Sequence, residues 1–249
     1  MTAPAVAPAL ITEHSTTRRR ARTLHDRATI WLSVVLLTTL LGFQRTITSR
    51  LGTLDVAHAV HGVASLGWLV VLIVQAELIR RRRRESHRQL ALWGVLFAMA
   101  MTVTALPMLQ VTGARAVADP RGGQIGWFLL IMDSGLLLLF LSLFATAVAN
   151  VRRPAIHARA MAATSLIGLA PGLGRWCMRL FQVDPIAGSY FALAAGAVWL
   201  GCLIWSDRRA GVRDRVYPAM LVATLFVMGL SQPIAQRFTH VPVAVSSRP

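Results

Sequence analysis

Histidine, one aspartate and a few arginines are the residues that can do chemistry in this otherwise apolar chain. His58 and His61 stand three apart, so on a helix they share a face and can ligate one metal ion, with Asp133 as a third ligand and coordination positions left open. Asp133 is the one carboxylate well inside an apolar stretch, where it has to be protonated, paired or metal-bound. Arg175 and the histidines are its candidate partners, and the meaning differs with the partner: a structural ion pair, a proton relay, or a site of two histidines and one carboxylate. Asp133, His61 and Arg175 are therefore the candidate catalytic residues.

A second group lies elsewhere. His87 and His157 each open a helix after an arginine-containing turn, and the helix dipole there disfavours the imidazolium, leaving a neutral ring able to bind metal or accept a proton. The bland alternative is that these rings satisfy free backbone groups at helix starts. Together with His61, Trp68 and Gln75 they are candidate contacts for haem or a transition metal. Haem held by two imidazoles needs histidines from facing helices at one depth. Near His61 only its own helix supplies histidine, whereas His87 and His157 come from different helices and can meet.

These residues need elements to hold them. His58, His61, Ser65, Trp68, Leu72 and Gln75 follow one another at steps of three and four, so a helix puts them on one face, and only Leu72 breaks its polar character. Imidazoles and an amide are expensive against lipid, so that stripe faces a protein interior or a wet cavity. Apolar segments of about the length that crosses a bilayer recur at 28–45, 57–79, 89–111, 124–149, 159–176, 187–206 and 216–236. The expected fold is all-α: a polytopic membrane protein with a seven-helix transmembrane domain over 28–236. Residues 1–27 are expected to be a disordered basic tail, and 237–249 a short exposed one. Pro171, Gly172 and Gly174 predict a kink or an early end in the fifth segment.

Arginine density alternates between the connections. It is high at 18–27, 80–88, 152–159 and 208–215, and low around Arg45, Arg115 and Arg175, which places the N-terminus inside and the C-terminus outside a cell membrane. The chain of 249 residues is 55% hydrophobic, with a mean hydropathy of +0.57 and a net charge of +16. Its basic residues sit between apolar runs rather than among exposed aromatics, so the charge speaks for topology and for anionic lipid headgroups at the cytoplasmic arginines, not for nucleic acid. All 26 basic residues are arginine, which excludes a retinal Schiff base and a lysine-bound pyridoxal phosphate. Cys177 and Cys202 have no paired spacing and are expected to be packing residues.

His61 with Trp68 and Gln75, His87-Arg88, Asp133, Arg152-Arg153-Pro154, His157 with Met161, and Arg175-Trp176 together resemble an uncharacterised family of bacterial multi-pass membrane proteins. The resemblance spans roughly residues 40 to 180. Alanine follows His157 here where the family usually has a basic residue. It implies a seven-helix membrane fold with histidine on the second helix and histidine motifs opening the third and fifth, and it implies no reaction. Three functions remain from the residues: a redox metal or haem protein with an oxidoreductase or electron-transfer role; a metal-free acid catalyst isomerising or cyclising a lipid-soluble substrate, such as a prenyl compound, through Asp133; and a small proton-coupled transporter or lipid-binding module.

Overall fold

The computed structural model describes residues 23–119 and 123–239. Seven helices account for nearly all of them, and no strand occurs among the described residues: α1 (Ala28–Ser49), α2 (Val56–Arg80), α3 (Arg84–Ala118), α4 (Gln124–Ala149), α5 (Pro154–Phe181), α6 (Pro185–Arg209) and α7 (Val216–Thr239). Local sequence sets several starts. Asp55 accepts from the His58 N–H to cap α2, Asp184 accepts from the Ala187 N–H to cap α6, and Pro154 and Pro185 stand in first turns, where a missing N–H costs nothing.

Short connections make successive helices antiparallel. One end of the bundle therefore gathers the turns carrying Arg80 to Arg84, Arg152 and Arg153, and Arg208 to Arg215, while the other end carries Arg45, Arg50, Arg115 and Arg179. We call the first the arginine-rich end.

Helices α1, α2, α3, α4, α6 and α7 are long and apolar enough to cross a membrane. Their outward faces carry large exposed apolar residues such as Val34, Leu92, Met99, Val103, Val198 and Phe226, as a multi-pass bundle in lipid requires. The exception, α5, has 28 residues and is the least exposed helix: Ala160, Ala162, Ala163, Thr164, Ser165, Ala170, Gly172 and Gly174 are all buried. It packs against α1, α2, α4, α6 and α7, which wrap around it. A central helix meets protein rather than lipid, so small residues for close approach replace large apolar ones. The approach is closest to α1, where a Cβ on Gly172 would stand 2.7 Å from the Thr39 backbone and one on Gly42 would run into the Gly172 carbonyl.

Two expectations need correction. Of the kink or early end expected at Pro171, the early end does not occur: α5 runs through it to Phe181, because contact with its neighbours holds the chain helical past one lost hydrogen bond. Nor does the disorder expected over 1–27 extend to residues 23–27. Residues 1–22 lie outside the described residues, but His25–Arg27 form a 3-10 turn, Asp26 accepts from the Thr23 N–H at 2.7 Å, and the Leu24 N–H donates to Ser206 Oγ at 2.8 Å.

Candidate functional site

The interior is organised in layers two turns apart, and Trp68 marks the middle one. Only 2% exposed, Trp68 stands edge-on to Phe140 and Phe144 of α4, with ring centres 5.7 Å away in each case, and donates its indole N–H to Thr164 Oγ1 of α5 at 3.1 Å. With no open face, it acts here as packing at the centre of the bundle. Both α2 and α4 run toward the arginine-rich end, and seven residues advance a helix by about 10.5 Å while returning nearly to the same face. His61 and Asp133 therefore lie one layer above the Trp68–Phe140 contact, and Gln75 and Ala147 one layer below it.

The lower layer brings three expected cofactor residues together. Gln75 Nε2 donates to the His87 carbonyl at 3.1 Å, His157 Nδ1 donates to the Ala147 carbonyl at 2.9 Å, and the His87 and His157 ring centres lie 6.5 Å apart at 83°. A ring that gives its Nδ1–H to a carbonyl keeps its lone pair on Nε2, which is how metal-binding histidines are commonly oriented. His87 Nδ1 and Gln75 Oε1 are both buried without a hydrogen-bond partner. Polar atoms in that condition cost free energy unless something else binds them.

The upper layer is looser. His58 Nδ1 is engaged by the exposed Asp55 carboxylate at 2.6 Å, and the backbone N–H of His58, followed by its ring, holds that carboxyl below its ordinary range. His61 Nδ1 meets the Met101 carbonyl at 3.1 Å and Thr104 Oγ1 at 3.2 Å, both on α3. Asp133 has no hydrogen-bond or ion-pair partner among the described residues, and its side chain is exposed although protein surrounds it at longer range. Arg175 lies within electrostatic reach of Asp133 without touching it; its Nη1 donates to the Pro171 carbonyl at 3.0 Å, and its guanidinium stacks on Phe43 at 4.2 Å. His58, His61 and Asp133 are thus not drawn into one cluster, and no group of three or more His, Cys, Asp or Glu side chains suited to a metal occurs among the described residues.

A fourth cluster escaped the sequence reading. At the arginine-rich end Arg159 of α5 forms a two-pronged ion pair with Asp207 of α6, at 2.8 and 3.2 Å. Arg159 also lies 6.0 Å from the centre of the Tyr217 ring, and the Tyr217 hydroxyl bonds His25 Nδ1 at 2.7 Å. Asp207 and Tyr217 line a pocket of about 520 Å³ with Arg208, Arg213 and Asp214. Asp207 sits beside arginines at the end of an apolar run and so reads as a boundary residue; its only sequence signal is an acid one turn inside a basic loop.

No family model, curated protein or solved structure matches the chain. What this site can do rests on its own atoms: three convergent donors near the arginine-rich end, and two opposite charges held apart in the other half.

Proposed function

We propose that this is a seven-crossing membrane protein, arginine-rich end in the cytoplasm and C-terminus outside, that binds a redox metal ion or haem iron between His87 and His157 and serves an oxidoreductase or electron-transfer role. The arrangement of Gln75, His87 and His157 carries the reading: Gln75 Oε1 and His87 Nδ1 are buried and unpartnered, and His157 is held with Nε2 free. Two imidazoles sharing an ion put their ring centres roughly 5 Å apart at a tetrahedral angle and about 6.3 Å apart when trans, since each metal–nitrogen bond is about 2 Å. The observed 6.5 Å is within a small side-chain adjustment of that. A soft or borderline metal suits imidazole, and iron or copper would supply one-electron chemistry there.

The protein residues have separate tasks. His157 is oriented by the Ala147 carbonyl, His87 by the helix start it opens, and Gln75 ties α2 to that start through the His87 carbonyl. Central α5, shielded by its neighbours, is read as the seventh crossing despite its modest hydropathy. The alternation of arginines supports the orientation, and the same arginines suit anionic lipid headgroups.

Metal analysis and an absorption spectrum of detergent-purified protein test the reading. One equivalent of iron or copper is expected, with a Soret band if the iron is haem-bound. His87→Ala and His157→Ala should each lower occupancy at least tenfold, while His58→Ala leaves it unchanged. Wild-type protein with neither stoichiometric redox metal nor a Soret band would sink the proposal.

A further inference from the structure

The turn between α6 and α7 is fixed by its own backbone. Gly211 takes a left-handed φ of +72°, its N–H donates to the Arg208 carbonyl at 3.0 Å, and the Val212 N–H donates to the Asp207 carbonyl at 2.8 Å, which together close α6 in a Schellman motif. Further on, Asp214 accepts from the Val216 N–H, the first of α7, at 2.7 Å. A turn held in this way brings Arg213 to the same pocket as Arg208 of the last turn of α6. That pocket, of about 520 Å³, is lined by the buried Asp207 and Tyr217 and by an apolar wall of Ile204, Val212 and Pro218.

Most polar groups in the pocket are already used. Arg159 holds both carboxylate oxygens of Asp207, the Tyr217 hydroxyl is engaged by His25 Nδ1, and the Asp214 charge is offset by the helix start it meets. The exposed Arg208 and Arg213 guanidiniums, by contrast, have no hydrogen-bond or ion-pair partner among the described residues. Two cationic forks are therefore what remains to recognise a ligand. They repel a metal ion and favour an anion with several acceptor oxygens, which a planar guanidinium grips in pairs. A phosphate group fills only part of a cavity of this size, and the apolar wall suits an organic group attached to it. We infer that the pocket between α6 and α7 is a binding site for a phosphate ester, with the phosphoryl oxygens held by Arg208 and Arg213. At the end of the bundle, a phospholipid headgroup and a water-soluble ester can both reach it. The site is one saturable place rather than a general attraction of basic turns to headgroups, and it does not depend on the metal reading above.

Calorimetric titration of the full chain in a neutral detergent tests it, with dioctanoyl phosphatidic acid in one arm and glycerol 3-phosphate in the other. Saturable binding near one equivalent is expected in at least one arm. Binding confined to the first assigns a membrane phospholipid, and binding of glycerol 3-phosphate at least as tight assigns a soluble ester. Arg208→Gln and Arg213→Gln should each weaken it at least tenfold, whereas Arg152→Gln, an exposed arginine at the same end outside the pocket, should bind within twofold of wild type. Neither pocket guanidinium leaves a protein partner stranded when it is replaced, and Arg213→Lys, which keeps the charge and loses the fork, should bind with intermediate affinity. The inference is overturned if neither ester binds saturably, if Arg208→Gln and Arg213→Gln both bind within twofold of wild type, or if Arg152→Gln weakens binding as much as they do.

Discussion

Arg159 and Asp207, 48 residues apart in sequence, meet at 2.8 Å with side chains each only 4% exposed. This contact ties central α5 to α6 at the arginine-rich end, and Tyr217 and His25 extend it to α7 and to the turn preceding α1. Removing one partner of a buried pair leaves an uncompensated charge, which typically costs about 3–5 kcal/mol. Asp207→Ala should destabilise the detergent-solubilised protein by about that much, and the double variant Arg159→Met with Asp207→Leu should recover most of the loss. Denaturant unfolding followed by circular dichroism measures both, and a double variant no more stable than Asp207→Ala would contradict the account.

Trp68 offers a second measurement. Its indole N–H has one partner, Thr164 Oγ1, deep in the bundle. Thr164→Val keeps the shape and removes the acceptor, so a loss of about 1–3 kcal/mol is expected from the stranded donor. Thr164→Ser keeps the acceptor and should cost less. Equal losses in the two variants would show that the methyl group, not the hydrogen bond, matters there.

The contact of α1 with α5 depends on absent side chains. A Cβ on Gly42 would collide with backbone at Gly172, which cannot move aside as a flexible side chain would. Gly42→Val should therefore separate the two helices and lower the thermal midpoint sharply, whereas Gly196→Ala, at a position with open space around the added carbon, should change it little. A Gly42→Val variant with wild-type stability would mean that the helices tolerate the spacing.

The cap of α2 supplies a pH dependence. The Asp55 carboxyl is held below its ordinary value, chiefly by the His58 N–H. A depressed acid contributes stability that is fully present above the ordinary carboxylate range and is lost as pH falls through its lowered folded value. Amide exchange in the first turn of α2 should therefore be slow at neutral pH, begin to accelerate relative to the intrinsic rate as pH falls into the ordinary carboxylate range, and lose its protection fully only below the lowered folded value. In Asp55→Ala the protection should be low at every pH. Protection already lost near neutrality would point to a different group.

Much of the architecture was legible from residue order. The apolar segments, the alternation of arginines and the three-and-four spacing of His61, Trp68 and Gln75 follow from what one helix can present to lipid and what it has to turn inward. Even the layers follow, since His61, Trp68 and Gln75 repeat at seven residues, as do Asp133 and Phe140. Periodicity, however, describes a face only relative to its own helix axis and says nothing about which helix it will meet. That α5 is the enclosed one, that His87 reaches His157, that Asp207 rather than Asp133 finds the buried arginine, and that Asp133 is left without a hydrogen-bond or ion-pair partner among the described residues were decided by tertiary packing. Seven helices of similar length and apolarity can be arranged around one another in many ways. Only the close approach of small residues on α5 and the cost of burying a lone charge select among them.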